Sequence, residues 1–138
     1  MCNEIMSKWK WIAKWCRELG FNELSKIADE IENTLRALYG NTVTDGWIER
    51  FSIYEEEMKR LHEVGNVVDA LKLIRYVARS ISGCVACLED KYCDVCRFAI
   101  EYGAKCGEYG NPHHKFITKL DELINALEIE NEILENDE

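Results

Sequence analysis

The sequence predicts an all-α protein, a helical bundle of about six helices with a cysteine-rich loop and a short helix before the last long helix. Three observations predict it. Apolar residues recur three and four positions apart almost throughout the chain, with no alternating strand pattern of useful length. Glycine and asparagine fall where the periodic stretches stop and start. The chain holds only one proline, Pro112, whereas many-stranded folds use more turn residues.

Taken in order, the first helix carries the stripe Ile5, Trp9, Ile12, Cys16 and Leu19 and stops at Gly20, a residue suited to a helix end. Asn22 is placed to cap the second, which presents Leu24, Ile27, Ile31, Leu35 and Leu38 before Gly40. The third starts near Thr44 and aligns Trp47, Phe51, Tyr54, Met58 and Leu61; its Glu55, Glu56 and Glu57 read as a solvated face. Asn66 can cap the fourth, where Val67, Leu71, Ile74, Ala78 and Ile81 continue the pattern up to Gly83. A short fifth helix is expected from about Cys93, with Phe98, Ile100 and Tyr102. Asn111-Pro112 then starts the sixth, with asparagine at the cap and proline in the first turn, running to about Leu134. A single domain over residues 1–138 is expected, with the cysteine-rich segment at 83–107 and a frayed acidic tail at 135–138.

The net charge is −9, and it is uneven. Residues 1–20 hold Lys8, Lys10, Lys14 and Arg17 against Glu4 and Glu18, a balance of +2, which leaves −11 on the rest. A diffuse acidic surface repels phosphate backbones, so no nucleic-acid partner is expected. No run approaches the roughly 18 apolar residues of a transmembrane segment. Charges interrupt the apolar residues of MCNEIMSKWKWIAKW, so this stretch lacks a signal peptide's apolar core. The expectation is an intracellular, cytoplasmic protein, where thiols are normally reduced and metal binding is favoured over disulfides.

The chemistry of the chain concentrates between Gly83 and Gly107. Five of the seven cysteines, Cys84, Cys87, Cys93, Cys96 and Cys106, follow the pattern C-x2-C-x5-C-x2-C-x9-C. Each CxxC turn sets two sulfurs on one side of a bend, and two such turns can supply four thiolates to a tetrahedral zinc ion. The five residues between the pairs span the required separation easily at roughly 3.3 Å each when extended. Cys93 and Cys96 share a helix face if the fifth helix begins there, and a helix N-terminus favours the thiolate form. Lys91, Arg97 and Lys105 would offset part of the negative charge of such a site. Which four of the five sulfurs would be ligands is open, because Cys106 competes with the second pair and His113 and His114 lie just beyond it. An iron–sulfur cluster could use the same thiolates, although the spacing matches neither common ferredoxin run. Disulfides are the third alternative, as in intracellular proteins of hyperthermophiles, but seven cysteines cannot all pair within one chain. Cys2 and Cys16 read as small core residues. A catalytic dithiol lacks its usual βαβ setting, and a Cys106–His pair lacks an orienting third group.

Residues 84–106 resemble a short cysteine motif of small phage and archaeal proteins: a CxxC pair, a second CxxC usually followed by proline, then a further cysteine. Here Arg97 stands where that proline would be. The resemblance implies no activity.

The last helix raises the question of a partner. Ile117, Ile124 and Asn131 at heptad position a, with Leu120, Leu127 and Leu134 at d, form the seam of a two-stranded coiled coil in which Asn131 sets the register. The flanking Asp121, Glu128, Glu130 and Glu135 are all acidic, so a basic or antiparallel neighbour suits them better than a parallel copy. Phe116 and Leu123 widen the stripe, which favours packing within the same bundle from Ile117 to Leu127. Ile129, Ile133 and Leu134 would then project toward a partner. On the first helix, Trp11 and Trp15 lie roughly 100–140° from the apolar stripe. Covered, they belong to the core, the simpler reading for a small protein with four tryptophans. Exposed, they would suit a protein interface or a membrane surface. Trp11, Trp15, Asn131 and Leu134 are therefore the candidate partner-binding residues.

Together these features predict a non-enzymatic α-helical interaction or adaptor module, with a cysteine-built site as a structural staple and a protein partner or second copy on its helical faces. The alternatives are an iron–sulfur or thiol redox protein, a disulfide-stapled helical protein, and an acidic decoy of a nucleic-acid-binding protein.

Overall fold

The chain is an all-α helical bundle. The structure, a computed structural model, describes residues 6–40, 45–80, 97–104 and 108–136. These form six helices: α1 (Lys8–Glu18), α2 (Asn22–Tyr39), α3 (Asp45–Glu63), α4 (Val67–Ser80), α5 (Arg97–Tyr102) and α6 (Pro112–Asn136). No strand occurs among the described residues. None of these helices is long and apolar enough to cross a membrane.

Local chemistry accounts for several boundaries. The Asn66 Oδ1 accepts from the Asp69 N–H at 3.2 Å, and the Asn111 Oδ1 accepts from the His113 N–H at 2.9 Å, so both asparagines satisfy backbone donors at a helix start. Asn22 does not play this role. It is the first residue of α2, and Phe21 precedes it with no side-chain cap. The α1–α2 turn is closed instead by backbone bonds, Gly20 N–H to Arg17 and Phe21 N–H to Cys16, with Gly20 at φ +94°. That left-handed conformation is what a glycine at a helix end supplies.

α1 is the centre of the assembly. An amphipathic surface helix buries one stripe. α1 instead buries Lys8, Trp9, Trp11, Ile12, Ala13, Trp15 and Cys16, which at roughly 100° per residue cover an arc of about 200°, leaving Lys10, Arg17 and Glu18 exposed. It packs on α2 and α4, and its indole rings reach further. Trp9 meets His113 and Phe116 of α6 edge-on, while Trp11 meets Trp47 and Trp15 meets His62, both of α3.

α6 lies antiparallel to α4. Three contacts in reversed order show this: His113 Nε2 lies 3.4 Å from the Ala78 carbonyl, Arg75 pairs with Asp121 at 3.0 Å, and Lys72 pairs with Glu128 at 2.8 Å. Two of the acidic flanks, Asp121 and Glu128, thus meet a basic, antiparallel helix of the same chain, α4. The packed stripe is Phe116, Leu120 and Ile124, all buried, with Ile117, Leu123 and Leu127 against it. α2 covers the other side of α6, where Lys119 bonds to Glu23 at 3.2 Å. Short α5 leans on α2: the Tyr102 hydroxyl donates to Glu30 at 3.2 Å and lies 2.9 Å from the Thr34 hydroxyl oxygen.

Candidate interaction face on the last helix

Trp11 and Trp15 are not a partner surface. They are 0 % and 5 % exposed, and each donates its indole N–H to Oε1 of Glu55, at 2.8 and 3.0 Å. Glu55 is correspondingly withdrawn from the solvated glutamate face to which the sequence assigned it. Its side chain is 17 % exposed, with Lys14 and Lys59 beside its Oε2 at 3.6 and 3.7 Å. Burial alone would raise the Glu55 carboxyl pKa. The two indole hydrogen bonds and the two lysine charges outweigh it, and the group sits below its ordinary 4.5. This is a structural carboxylate that locks α3 onto α1.

Lys8 is a second polar group absorbed by the core. It is 3 % exposed, its ammonium lies 5.2 Å from the Trp9 ring, and it donates to the Ala78 carbonyl at 3.1 Å. Ala78 belongs to the last turn of α4, where carbonyls lack helical donors and positive charge is favoured. Cys16 is a buried free thiol whose pKa burial pushes up to about 12, which makes it inert as a nucleophile.

The proposed metal ligands Cys84, Cys87, Cys93, Cys96 and Cys106 lie outside the described residues, as does Cys2. Among the described residues, no group of three or more His, Cys, Asp and Glu side chains is arranged to hold a metal ion. His113 packs on Trp9, and His114 faces an open cleft between α2, α5 and the start of α6. That cleft mixes Glu30 and Glu122 with Lys115 and Lys119, beside the rings of Tyr102 and Tyr109.

The far end of α6 differs from the rest of the helix. At roughly 100° per residue, Ile129 and Ile133 lie about 140–180° from the buried Leu120 and Ile124. They are 57 % exposed each. Ala126, also exposed, extends their line by three residues. Exposed Glu122 stands at its head, one turn before Ala126, and exposed Glu130 and Glu132 flank it. α6 therefore packs one face into the bundle as far as Leu127, and from Ile129 to Ile133 it is exposed all round, with the two isoleucines on the side away from the packed stripe. Asn131 is exposed on the side continuous with the packed stripe, and the side chain of Leu134 lies outside the described residues. The sequence pointed to Asn131 and Leu134 as partner-binding and to Ile129 and Ile133 as projecting beside them. The open apolar line that the structure presents is Ala126, Ile129 and Ile133. Its signal in the sequence was the isoleucine pair four residues apart, off the a/d register.

Compared with known proteins, the chain matches no family model, no curated protein and no solved structure.

Proposed function

We propose that this protein is a non-enzymatic α-helical interaction module that engages a protein partner through the outward face of distal α6. The observation that carries the reading is the solvent-facing pair Ile129 and Ile133 on distal α6, beyond Leu127, the last α6 residue packed against the core. Two large aliphatic side chains held four residues apart on a regular helix are the anchors of helix-in-groove or helix-on-helix recognition. Among the described residues, the Cys16 thiol is committed to packing and the Glu55 carboxylate to indole hydrogen bonds.

The cysteine segment enters this reading from its sequence alone. Four of Cys84, Cys87, Cys93, Cys96 and Cys106 would hold one zinc ion and fasten the segment between α4 and α6. Such a site adds folding energy and no reaction.

The test has two arms. Protein purified without an affinity tag is assayed for metal and for reactive thiols, with and without a chelator. One zinc per chain and a lower melting temperature after chelation support the staple; metal-free protein with unchanged melting contradicts it. Separately, wild-type protein and an Ile129→Ser/Ile133→Ser variant are used as baits in extracts of the source cells. A stoichiometric partner retained by the wild type and lost by the variant supports the interaction module. Identical captures contradict it.

A further inference from the structure

We infer that the occupant of the outward α6 face is a basic amphipathic helix of a protein partner. The inference rests on the interaction reading above and adds the chemistry of the partner.

Three observations converge. The open line Ala126, Ile129 and Ile133 has the three-then-four spacing that a second helix can cover. Its borders are acidic, with Glu122, Glu130 and Glu132 exposed around it. From Glu128 to Glu138 the chain holds six carboxylates and neither lysine nor arginine. Of these, Glu128 is engaged by Lys72 of α4.

The position of this charge matters as much as its amount. The C-terminal end of a helix carries partial negative charge and is stabilised by lysine or arginine. The last turn of α6 contains no basic residue. The acidic residues there oppose the helix that carries them, so they are not explained by the stability of α6. A lysine- or arginine-rich helix laid along Ile129 and Ile133 resolves both conflicts. Its apolar stripe covers the isoleucines, and its basic flanks meet Glu130 and Glu132 and the helix terminus. A second copy of this chain is a poorer occupant, because the same acidic flanks would oppose each other.

The probe is a fluorescein-labelled 18-residue peptide with leucine along one helical face and lysine on its flanks, compared with a twin carrying glutamate for lysine. Binding to the full chain is read by fluorescence anisotropy at low and moderate salt. The lysine peptide is expected to bind at least tenfold more tightly than its twin and to weaken several-fold as salt rises. Ile129→Ser/Ile133→Ser should abolish this binding, whereas Ile53→Ser, which alters an exposed isoleucine on α3, should leave it unchanged. Glu130→Lys/Glu132→Lys should lose the lysine peptide while melting no lower than wild type, since lysine suits that end of the helix.

Equal binding of both peptides, lost in the isoleucine variant, would overturn the basic partner while leaving the docking face standing. Binding of neither peptide, or binding indifferent to the isoleucines, would overturn both. A dimer of this chain that dissociates in the isoleucine variant would replace the basic helix by a second copy and overturn the inference.

Discussion

Trp11 donates its indole N–H to Glu55 across 2.8 Å, joining a tryptophan off the apolar stripe of α1 to a glutamate at the edge of the stripe of α3. The same oxygen takes the Trp15 N–H, so one carboxylate satisfies two indoles. Replacing Glu55 with alanine leaves both donors unpaired in a largely buried site. A loss of about 2–4 kcal/mol of unfolding free energy is expected in urea titrations. Glu55→Gln keeps one acceptor oxygen and should lose roughly half as much.

The same contact sets an acid response. A carboxyl whose folded pKa is depressed contributes stability above its unfolded pKa, and this is lost as the pH falls through the folded value. Glu55 is lowered from 4.5, so its contribution is complete above that value and disappears below it. Wild-type protein should therefore lose stability more steeply below pH 4.5 than Glu55→Gln does. Equal slopes in acid-melting curves would contradict the assignment.

Asn111 joins two elements. Besides capping α6, its side-chain amide donates to the Ala104 carbonyl at 2.8 Å and is buried. Asn111→Ala should cost about 1.5–3 kcal/mol, more than an exposed cap. Asn111→Asp retains the cap acceptor but not the amide donor, and should fall between the two in thermal melts.

The Lys72–Glu128 pair tests the antiparallel placement of α6 on α4. Its side chains are 39 % and 43 % exposed, so the pair itself is worth under about 1 kcal/mol. Glu128→Lys should destabilise by about that amount, and adding Lys72→Glu should restore it. A double-mutant cycle with no coupling would contradict the packing.

Cys16 should resist alkylation in native protein and react only on unfolding, because burial holds its pKa near 12. Peptide mapping after iodoacetamide treatment reads this directly. Modification of Cys16 in folded protein at the rate of a free thiol would contradict the packing of α1.

How much of this was legible in the sequence depended on whether local chemistry or tertiary neighbours decided the outcome. The periodic stripes, apart from Ile5 and Ile81, which lie outside the described residues, the Asn66 cap and the Asn111-Pro112 start are local signals, and each is present where expected. Asn22 failed as a cap because the α1–α2 turn closes through backbone bonds one residue earlier. The fates of Trp11, Trp15, Lys8 and Glu55 depend on how many helices surround α1. Periodicity reports the phase of one face and is silent about a helix covered on several. Glu55 sits in a run of three glutamates, and although its phase places it at the edge of the α3 stripe and Glu56 opposite, its charge reads as solvated. The acidic flanks of the last helix suggested a basic or an antiparallel neighbour, and the packing shows α4 meeting two of them, Asp121 and Glu128.

The most direct measurement of the central claim is hydrogen–deuterium exchange of the full chain with and without the lysine-flanked peptide. Added protection confined to residues 126–136 is predicted, absent in Ile129→Ser/Ile133→Ser. Protection that falls instead on the cleft between α2, α5 and α6, or no protection anywhere, would contradict it.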